Sequence, residues 1–519
     1  MEWTLANIIR AHAASRGAQP MITYDRRTIS YADMDQASSR VAHGLLGEGI
    51  GPGDRVAFLD KNGHEYFEVL FGGAKINAVN VAVNWRLAPA EMQYIINDAE
   101  AKVLFVGPEF LPHLDEIEAK LDTVKTIVVL GAHPRHQSYP AWLGRQPARD
   151  PGLSSAPDDV SMQLYTSGTT GLPKGAMLTN RNLGTILPYV SGPWGLDATS
   201  VNVVAMPLFH IGGSGWALCG MWNACHSILF REFVPHEILT ALERHRVTNA
   251  LFVPAMLQFL TAVPGAMDRD YSSLRSVVYG ASPITNDVLI RSMKTFRCPF
   301  IQVYGLTEST GAITELPAAD HDPEGPRARL LRSAGKPYPW VEMRIVDPDS
   351  GRDRSAGQVG ELWTRSVQNM KGYWKRPEDT ARVFAPGGWL RTGDAGFMDV
   401  DGYIFLTDRV KDMIVSGGEN IYPAEVENAL SGHPAVADVA VIGVPDDKWG
   451  EGVKAIIVTR PGTDPSPDEI MAYARQRLAH YKCPSSVDFV DALPRNPSGK
   501  LLKRQLREPY WKGHERRIH

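Results

Sequence analysis

The chain reads as an α/β protein. A large N-terminal domain of parallel β-sheets covered by helices carries a β-rich subdomain, and a small α+β domain follows. Three observations predict this. Through residue 282, apolar runs of strand length alternate with amphipathic helical patterns, an order that yields largely parallel sheets under helices. Residues 341–408 turn to short strands separated by turns. From residue 409 a unit of about 110 residues, the size of a domain, mixes strands and helices anew. At 519 residues the chain also exceeds a single core. The expected domains are 1–408, with the β-rich part near 341–408, and 409–519.

DRVAFLD (54–60) and AKVLFVG (101–107) have the apolar content of buried strands, and residues 31–49 and 65–78 the period of amphipathic helices. The alternation continues through KTIVVLG, VNVVAMP, NALFVP and SVVYGAS. Residues 198–230 hold no Asp, Glu, Lys or Arg, but glycines and Pro207 interrupt them. A spanning helix wants about 20 predominantly apolar residues. A buried strand, a glycine-rich turn and a helix lining a cavity are expected there instead. In the last unit, TDRVKDMIVSGGENIYPAEVENAL (407–430) runs from a charged segment through a glycine turn into a helix with Pro423 in its first turn. Strands at 437–445, 454–460 and 487–494 and a helix near 467–479 complete it.

Hydrophobic residues make up 44% and charged residues 22%, a soluble globular balance. A net charge of −4 gives no reason to expect a nucleic-acid partner. The four cysteines, Cys219, Cys225, Cys298 and Cys483, form no CxxC pair, so neither a zinc site nor a disulfide framework is suggested. The opening residues carry Glu2 and no apolar core of signal-peptide length. The expected compartment is the cytoplasm.

YTSGTTGLPKG (165–175) has the composition of a phosphate loop. Gly168 and Gly171 bring backbone N–H groups close to an anion, the hydroxyls of Thr166, Ser167, Thr169 and Thr170 donate to phosphate oxygens, and Lys174 adds charge. The spacing is not the Walker pattern, since Lys174 lies between Pro173 and Gly175. A flexible polar loop is the plain alternative. In YGLTES (304–309), Glu308 is a hard oxygen ligand suited to Mg²⁺ on phosphates, and Tyr304 can stack on a base; a capping Thr-Glu pair beside a buried tyrosine reads equally well. In WLRTGD (389–394), Asp394 can accept from both ribose hydroxyls or stabilise a turn. In PRNPSGK (494–500), Lys500 ends a loop rich in Pro and Gly, where most lysines are simply exposed.

These blocks, with DRVKDMIVSGGENIYP (408–423), occur in the order found in the adenylate-forming superfamily of acyl-CoA synthetases, luciferases and peptide-synthetase adenylation domains. The chain resembles that superfamily from about residue 5 to 508. The resemblance implies that Glu308 and Thr166 hold Mg²⁺, that Thr307 touches the α-phosphate and that the phosphate loop clamps the β- and γ-phosphates. Gly280, Ala281, Ser282, Gln302, Tyr304 and Gly305 would lie along the adenosine, Asp394 would hold the ribose, and Arg409 would be a second ribose or phosphate contact. Lys500 would be the catalytic cation, delivered by a mobile C-terminal domain that pivots at Lys411. In a second pose Gly417 and Gly418 would line the pantetheine tunnel and Trp449 would lie near the CoA nucleotide. Tyr481, Lys482 and Cys483 fall where some relatives have an arginine for CoA phosphate, a role Cys483 cannot fill.

His210 in PLFHIGG matches the position that abuts the carboxylate in relatives activating fatty or aromatic acids. Amino-acid-activating relatives carry an acid in the comparable block, and burying an ammonium without a partner is costly. Ile211, Trp216, Leu218, Met221, Phe252, Val253, Met256 and Ala312, with Gly280 and Gly305, fit a hydrophobic acid pocket, although each singly also suits ordinary core. The expected activity is ATP-dependent ligation of a hydrophobic acid, foremost a medium- or long-chain fatty acid, to coenzyme A through an acyl-adenylate. Aromatic-acid ligation and loading of a carrier protein are the alternatives; only a short tail follows Lys500, which weighs against a fused carrier. Expected partners are the small carboxylic acid, a membrane surface in peripheral contact without a transmembrane segment, and a second copy in a homodimer.

Overall fold

The computed structural model describes residues 3–166, 172–348, 350–409, 412–416, 419–446, 449–495 and 501–512, with the backbone alone for 408, 409, 419 and 420. Among these residues the strands form four sheets. The largest has nine strands. Its interior runs Phe300–Leu306, Ser276–Gly280, Asn249–Phe252, Val201–Val204, His226–Leu229 and Pro20–Tyr24, all parallel. Antiparallel strands Gly311–Leu316 and Arg27–Ser30 flank it. The second sheet has eight strands. Its parallel part contains Val160–Thr166, Val79–Ala82, Arg55–Leu59, Ala101–Val106 and Thr126–Val129. Such strands, covered on both faces, read as unbroken apolar runs because no face meets water; Arg55–Leu59 is buried at every position.

Helices obey the caps their sequence provides. Ser30 and Asp33 form a capping box that opens helix Tyr31–Gly47, and Pro423 opens helix Pro423–Ser431 from its first turn. The helix expected over 65–78 ends at Ala74, where the next residue, Lys75, is buried against Asp35 and Asp150. A buried ammonium needs such partners.

The charge-free stretch departs from expectation in one respect. Its glycines lie inside helix Ile211–Trp222, not in a turn before it. A Cβ on Gly213 would sit 2.2 Å from the Pro207 carbonyl oxygen, and one on Gly220 2.4 Å from Asn202 Nδ2. Gly220 therefore lets the helix press onto strand Val201–Val204, and Gly213 lets it close against the segment that follows that strand. No described helix is long and apolar enough to cross a membrane.

The β-rich segment forms an antiparallel sheet of Glu342–Val346, Gly360–Arg365, Trp389–Met398, Phe384–Ala385 and Ile404–Arg409. It is not self-contained: Gly372–Tyr373 leaves it to pair with Lys174–Thr179 at the edge of the second sheet. The last sheet joins Gly450–Thr459 to Val436–Asp446 and to the parallel strand Ser486–Phe489. Its apolar clusters begin at Ile414 and share no residue with the clusters of the preceding sheets.

Candidate active site

A cleft of about 1780 Å³ opens at the carboxyl ends of the parallel strands, where ligands bind in open α/β sheets. Strand Val160–Thr166 ends in Thr166 at its wall, and strand Phe300–Leu306 delivers Gln302, Tyr304 and Gly305 and then the turn carrying Thr307 and Glu308. The Thr166 hydroxyl donates to Glu308 Oε1 at 3.2 Å, and the Tyr373 hydroxyl donates to the same oxygen at 2.8 Å. Burial, and then the Glu308 carboxylate, push the Tyr373 phenol well above its ordinary pKa, so it stays a donor. Among the described residues no cluster of three or more His, Cys, Asp or Glu forms a metal cage. One carboxylate beside one hydroxyl instead suits an ion that keeps its waters and arrives on phosphates, which is how Mg²⁺ binds.

Tyr304 reaches across to the β-rich sheet, where its hydroxyl donates to Asp394 Oδ2 at 2.7 Å. Asp394 pairs in register with Arg409 on the neighbouring strand, so the two sit side by side. Ala281 and Thr310 hold left-handed backbones, with φ of 67° and 55°. Non-glycine residues adopt this region at a cost of order 1–3 kcal/mol, and such residues cluster at ligand sites. Ala281 and Ser282 line the cleft where strand Ser276–Gly280 ends. Gly280 and Gly305 allow the strands to close up: a Cβ would lie 2.1 Å from Val303 O and 1.9 Å from Gly311 O respectively.

Lys174 is not a bare cation. Its Nζ lies 2.7 Å from Asp379 Oδ1 in helix Pro377–Val383, and Arg382 Nη1 lies 3.3 Å from the same oxygen. The far wall comes from the last sheet and its helices, including Ala437, Asp438, Arg460, Lys482, Arg495 and Lys503. Lys482 pairs with Glu425 at 2.8 Å, Arg495 with Asp438 at 2.7 Å and Lys503 with Glu427 at 3.0 Å.

The residues expected to line an acid pocket divide. His210, which opens helix Ile211–Trp222, borders the cleft, as does Gly305. Phe252, Val253 and Met256 do not: they are buried in the apolar core, with Phe252 stacked on Phe296. Trp216, Leu218 and Met221 are core residues too, and Ile211 and Ala312 pack against that core. Gly280 is buried beneath the cleft floor. For Met256 the reason is helical period. On Pro254–Ala262, Ala255, Gln258 and Ala262 share the face toward the cleft, while Met256, Leu257 and Leu260 face inward. Ile284, Val288 and Arg291 complete that arm, and its one acid, Asp287, is paired with Arg291.

Ser167, Gly168, Thr169, Thr170, Gly171, Lys411, Gly417, Gly418 and Lys500 lie outside the described residues, as does the Arg409 side chain. Trp449 and Tyr481 are exposed and Cys483 is buried. Sequence reasoning missed Tyr373, Asp379 and Arg382. They follow no spacing that marks a ligand; only the pairing of Gly372–Tyr373 with the strand after the phosphate loop brings them to it.

Residues 9–374 match the model of the AMP-binding enzyme family, and residues 425–500 match that of its C-terminal domain. The chain belongs to the AMP-binding enzyme family. Among its relatives, the fatty acid–[acyl-carrier-protein] ligase ScoC of Streptomyces coeruleorubidus is 40% identical over 99% of this chain and 98% of its own. Feruloyl-CoA synthase of an Amycolatopsis species is 40% identical over 93% of this chain and 94% of its own. The anthranilate–CoA ligase AuaEII, solved with anthranoyl-AMP, superposes with a TM-score of 0.92 at 28% identity, covering 99% of this chain and 98% of its own. This AMP-binding enzyme is thus an AMP-forming acid–thiol ligase of the acyl-CoA synthetase type, in a family that uses ATP and CoA.

Proposed function

We propose that the protein activates a hydrophobic carboxylic acid, foremost a medium- or long-chain fatty acid, to its acyl-adenylate and transfers the acyl group to coenzyme A. The observation that carries this reading is the joining of two polar clusters, Thr166–Glu308–Tyr373 and Tyr304–Asp394, to an apolar arm at Ala255, Ala262, Ile284 and Val288 within one cleft.

In the first step a carboxylate oxygen attacks the α-phosphorus of ATP, and the bond to the β-phosphate oxygen breaks, so pyrophosphate leaves. Glu308, with Thr166, would hold Mg²⁺, which neutralises phosphate charge when bound. Asp394 would accept from the ribose hydroxyls, beside the Tyr304 hydroxyl that donates to its Oδ2. Two anions must meet here, and the transition state gathers charge on its phosphoryl oxygens. Lys500 would supply the matching cation, and His210 would stand beside the acid. In the second step the CoA sulfur attacks the acyl carbon and AMP leaves.

Support for an aliphatic acid comes from the likeness to ScoC and to the long-chain-fatty-acid–CoA ligase FadD13 of Mycobacterium tuberculosis, 36% identical over 93% of this chain. The likeness to ScoC also favours a second reading, in which the acceptor is the phosphopantetheine of a carrier protein. Incubation with ATP, Mg²⁺, fatty and aromatic acids, and either CoA or a carrier protein separates these. AMP and pyrophosphate are the expected products, with the highest turnover on a fatty acid and CoA. ADP and phosphate would overturn the adenylation mechanism, and thioester on the carrier alone would select the second reading.

A further inference from the structure

We propose that Asp379 is an internal stand-in for phosphate. Its carboxylate holds Lys174 in the nucleotide-free protein, yields it to the pyrophosphate portion of ATP, and passes to Arg382. This rests on reading the cleft as an adenylation site.

One carboxylate oxygen serves two cations from different elements: Lys174 Nζ at 2.7 Å, from the strand after the phosphate loop, and Arg382 Nη1 at 3.3 Å, one helical turn along. Both cations border the cleft. The Lys174 and Asp379 side chains are only 20% and 19% exposed, whereas Arg382 is 74% exposed. The carboxylate is well placed. Thr380 Oγ1 accepts from the Tyr373 backbone N–H at 2.9 Å and donates to Arg376 O at 2.8 Å, which ties the helix to the strand that also places Tyr373 on Glu308. The Lys174 ammonium holds the Asp379 carboxyl below its ordinary pKa, so it is an anion at neutral pH.

Asp379 shares its one charge between Lys174 and Arg382, and Arg382 also reaches the exposed Glu378 at 4.0 Å, so Lys174 is only partly neutralised. Pyrophosphate carries more charge and more acceptor oxygens, so it displaces the carboxylate from Lys174. Asp379 is not then stranded, because Arg382 already touches it. The pair with Arg382 is solvent-exposed on the arginine side and therefore weak, so the carboxylate can return to Lys174 and help expel the product.

Calorimetric binding of MgATP and of inorganic pyrophosphate tests this without turnover. Asp379→Asn and Asp379→Ala should both bind the two probes about fivefold more tightly than the parent, the scale of one such pair. Glu378→Gln removes the same charge one residue away, from a side chain 89% exposed that reaches Arg382 at 4.0 Å and has no contact with Lys174 among the described pairs, and should change binding less than about twofold, since exposed charges are well screened. In a Lys174→Met background the Asp379 effect should vanish, as a double-mutant cycle requires for a direct coupling. Unchanged or weaker binding in both Asp379 variants would overturn the proposal; weaker binding is the result if Asp379 instead positions Lys174 or ligates a phosphate-bound metal. A parent protein that binds neither probe would overturn the adenylation reading itself, whereas normal parent binding with unaltered variants overturns the stand-in alone.

Discussion

Glu68 lies in helix His64–Ala74 and is almost fully buried, accepting a hydrogen bond from the Tyr139 hydroxyl. Burial pushes its carboxyl up to about 7. His64 lies 3.7 Å away, and burial lowers that imidazole's pKa, so it offers little positive charge. Glu65 adds to the rise and Arg27 opposes it. The sign of the consequence is fixed. An unfolded glutamate titrates near 4.5, so between that pH and 7 the folded chain keeps a proton the unfolded chain has lost. Stability therefore falls as pH rises through this window and levels off above it. Glu68→Gln removes the slope. Denaturant unfolding should show the variant gaining on the parent by roughly 1–3 kcal/mol between pH 4.5 and 8. A parallel pH profile for the two proteins would show that Glu68 is not the source. At this scale the motifs were legible where a residue's chemistry is local. Thr166 meets Glu308 and Tyr304 meets Asp394, each pair drawn from separate blocks. Asp379 and Arg382 were not legible, because PEDTAR reads as an ordinary helix start and only tertiary pairing brings it to Lys174.

The glycine-bearing helix Ile211–Trp222 carries the lesson of the next scale. Alanine normally favours a helix over glycine by about 1 kcal/mol. At Gly213 the added methyl would meet a backbone carbonyl at 2.2 Å, which cannot swing aside, whereas at Gly220 it meets the end of the Asn202 side chain. Overpacking costs about 1–3 kcal/mol. Gly213→Ala should therefore lower stability by about 1–2 kcal/mol in thermal unfolding and Gly220→Ala by less. Equal effects would mean the helix can lift off its strand. The period of Pro254–Ala262 explains one misplaced pocket residue: Met256 turns inward, and the face that meets the cleft carries Ala255, Gln258 and Ala262. Phe252 ends the buried strand before that helix.

For the whole molecule, the cleft has one wall from the large sheets and another from the last sheet, with Gln258 Nε2 donating to Ala437 O at 3.4 Å between them. Lys411 falls in the stretch of sequence between the two. If Lys500 arrives with the second wall for adenylation only, Lys500→Ala should cut acyl-adenylate formation by about 100-fold or more, the scale of losing one preorganised donor to a developing anion. Thioester formation from supplied acyl-AMP should stay within about threefold of the parent, since an interaction absent from that transition state cannot change its rate. Equal losses in stopped-flow assays of the two half-reactions would overturn this division.

By itself the sequence determined the α/β class and the alternation of strands and helices. These depend on periodicity and on side-chain chemistry within a few residues. It also contained the blocks whose order marks the family. Only the tertiary structure decided which apolar residues face the cleft, that Gly372–Tyr373 joins the second sheet and so brings Tyr373 to Glu308, and that Lys174 is already engaged by Asp379. Those facts depend on crossovers and strand pairings between residues some 200 positions apart, as Lys174 and Asp379 are. No local pattern encodes such a distance, because packing in three dimensions, and not spacing along the chain, brings the groups together.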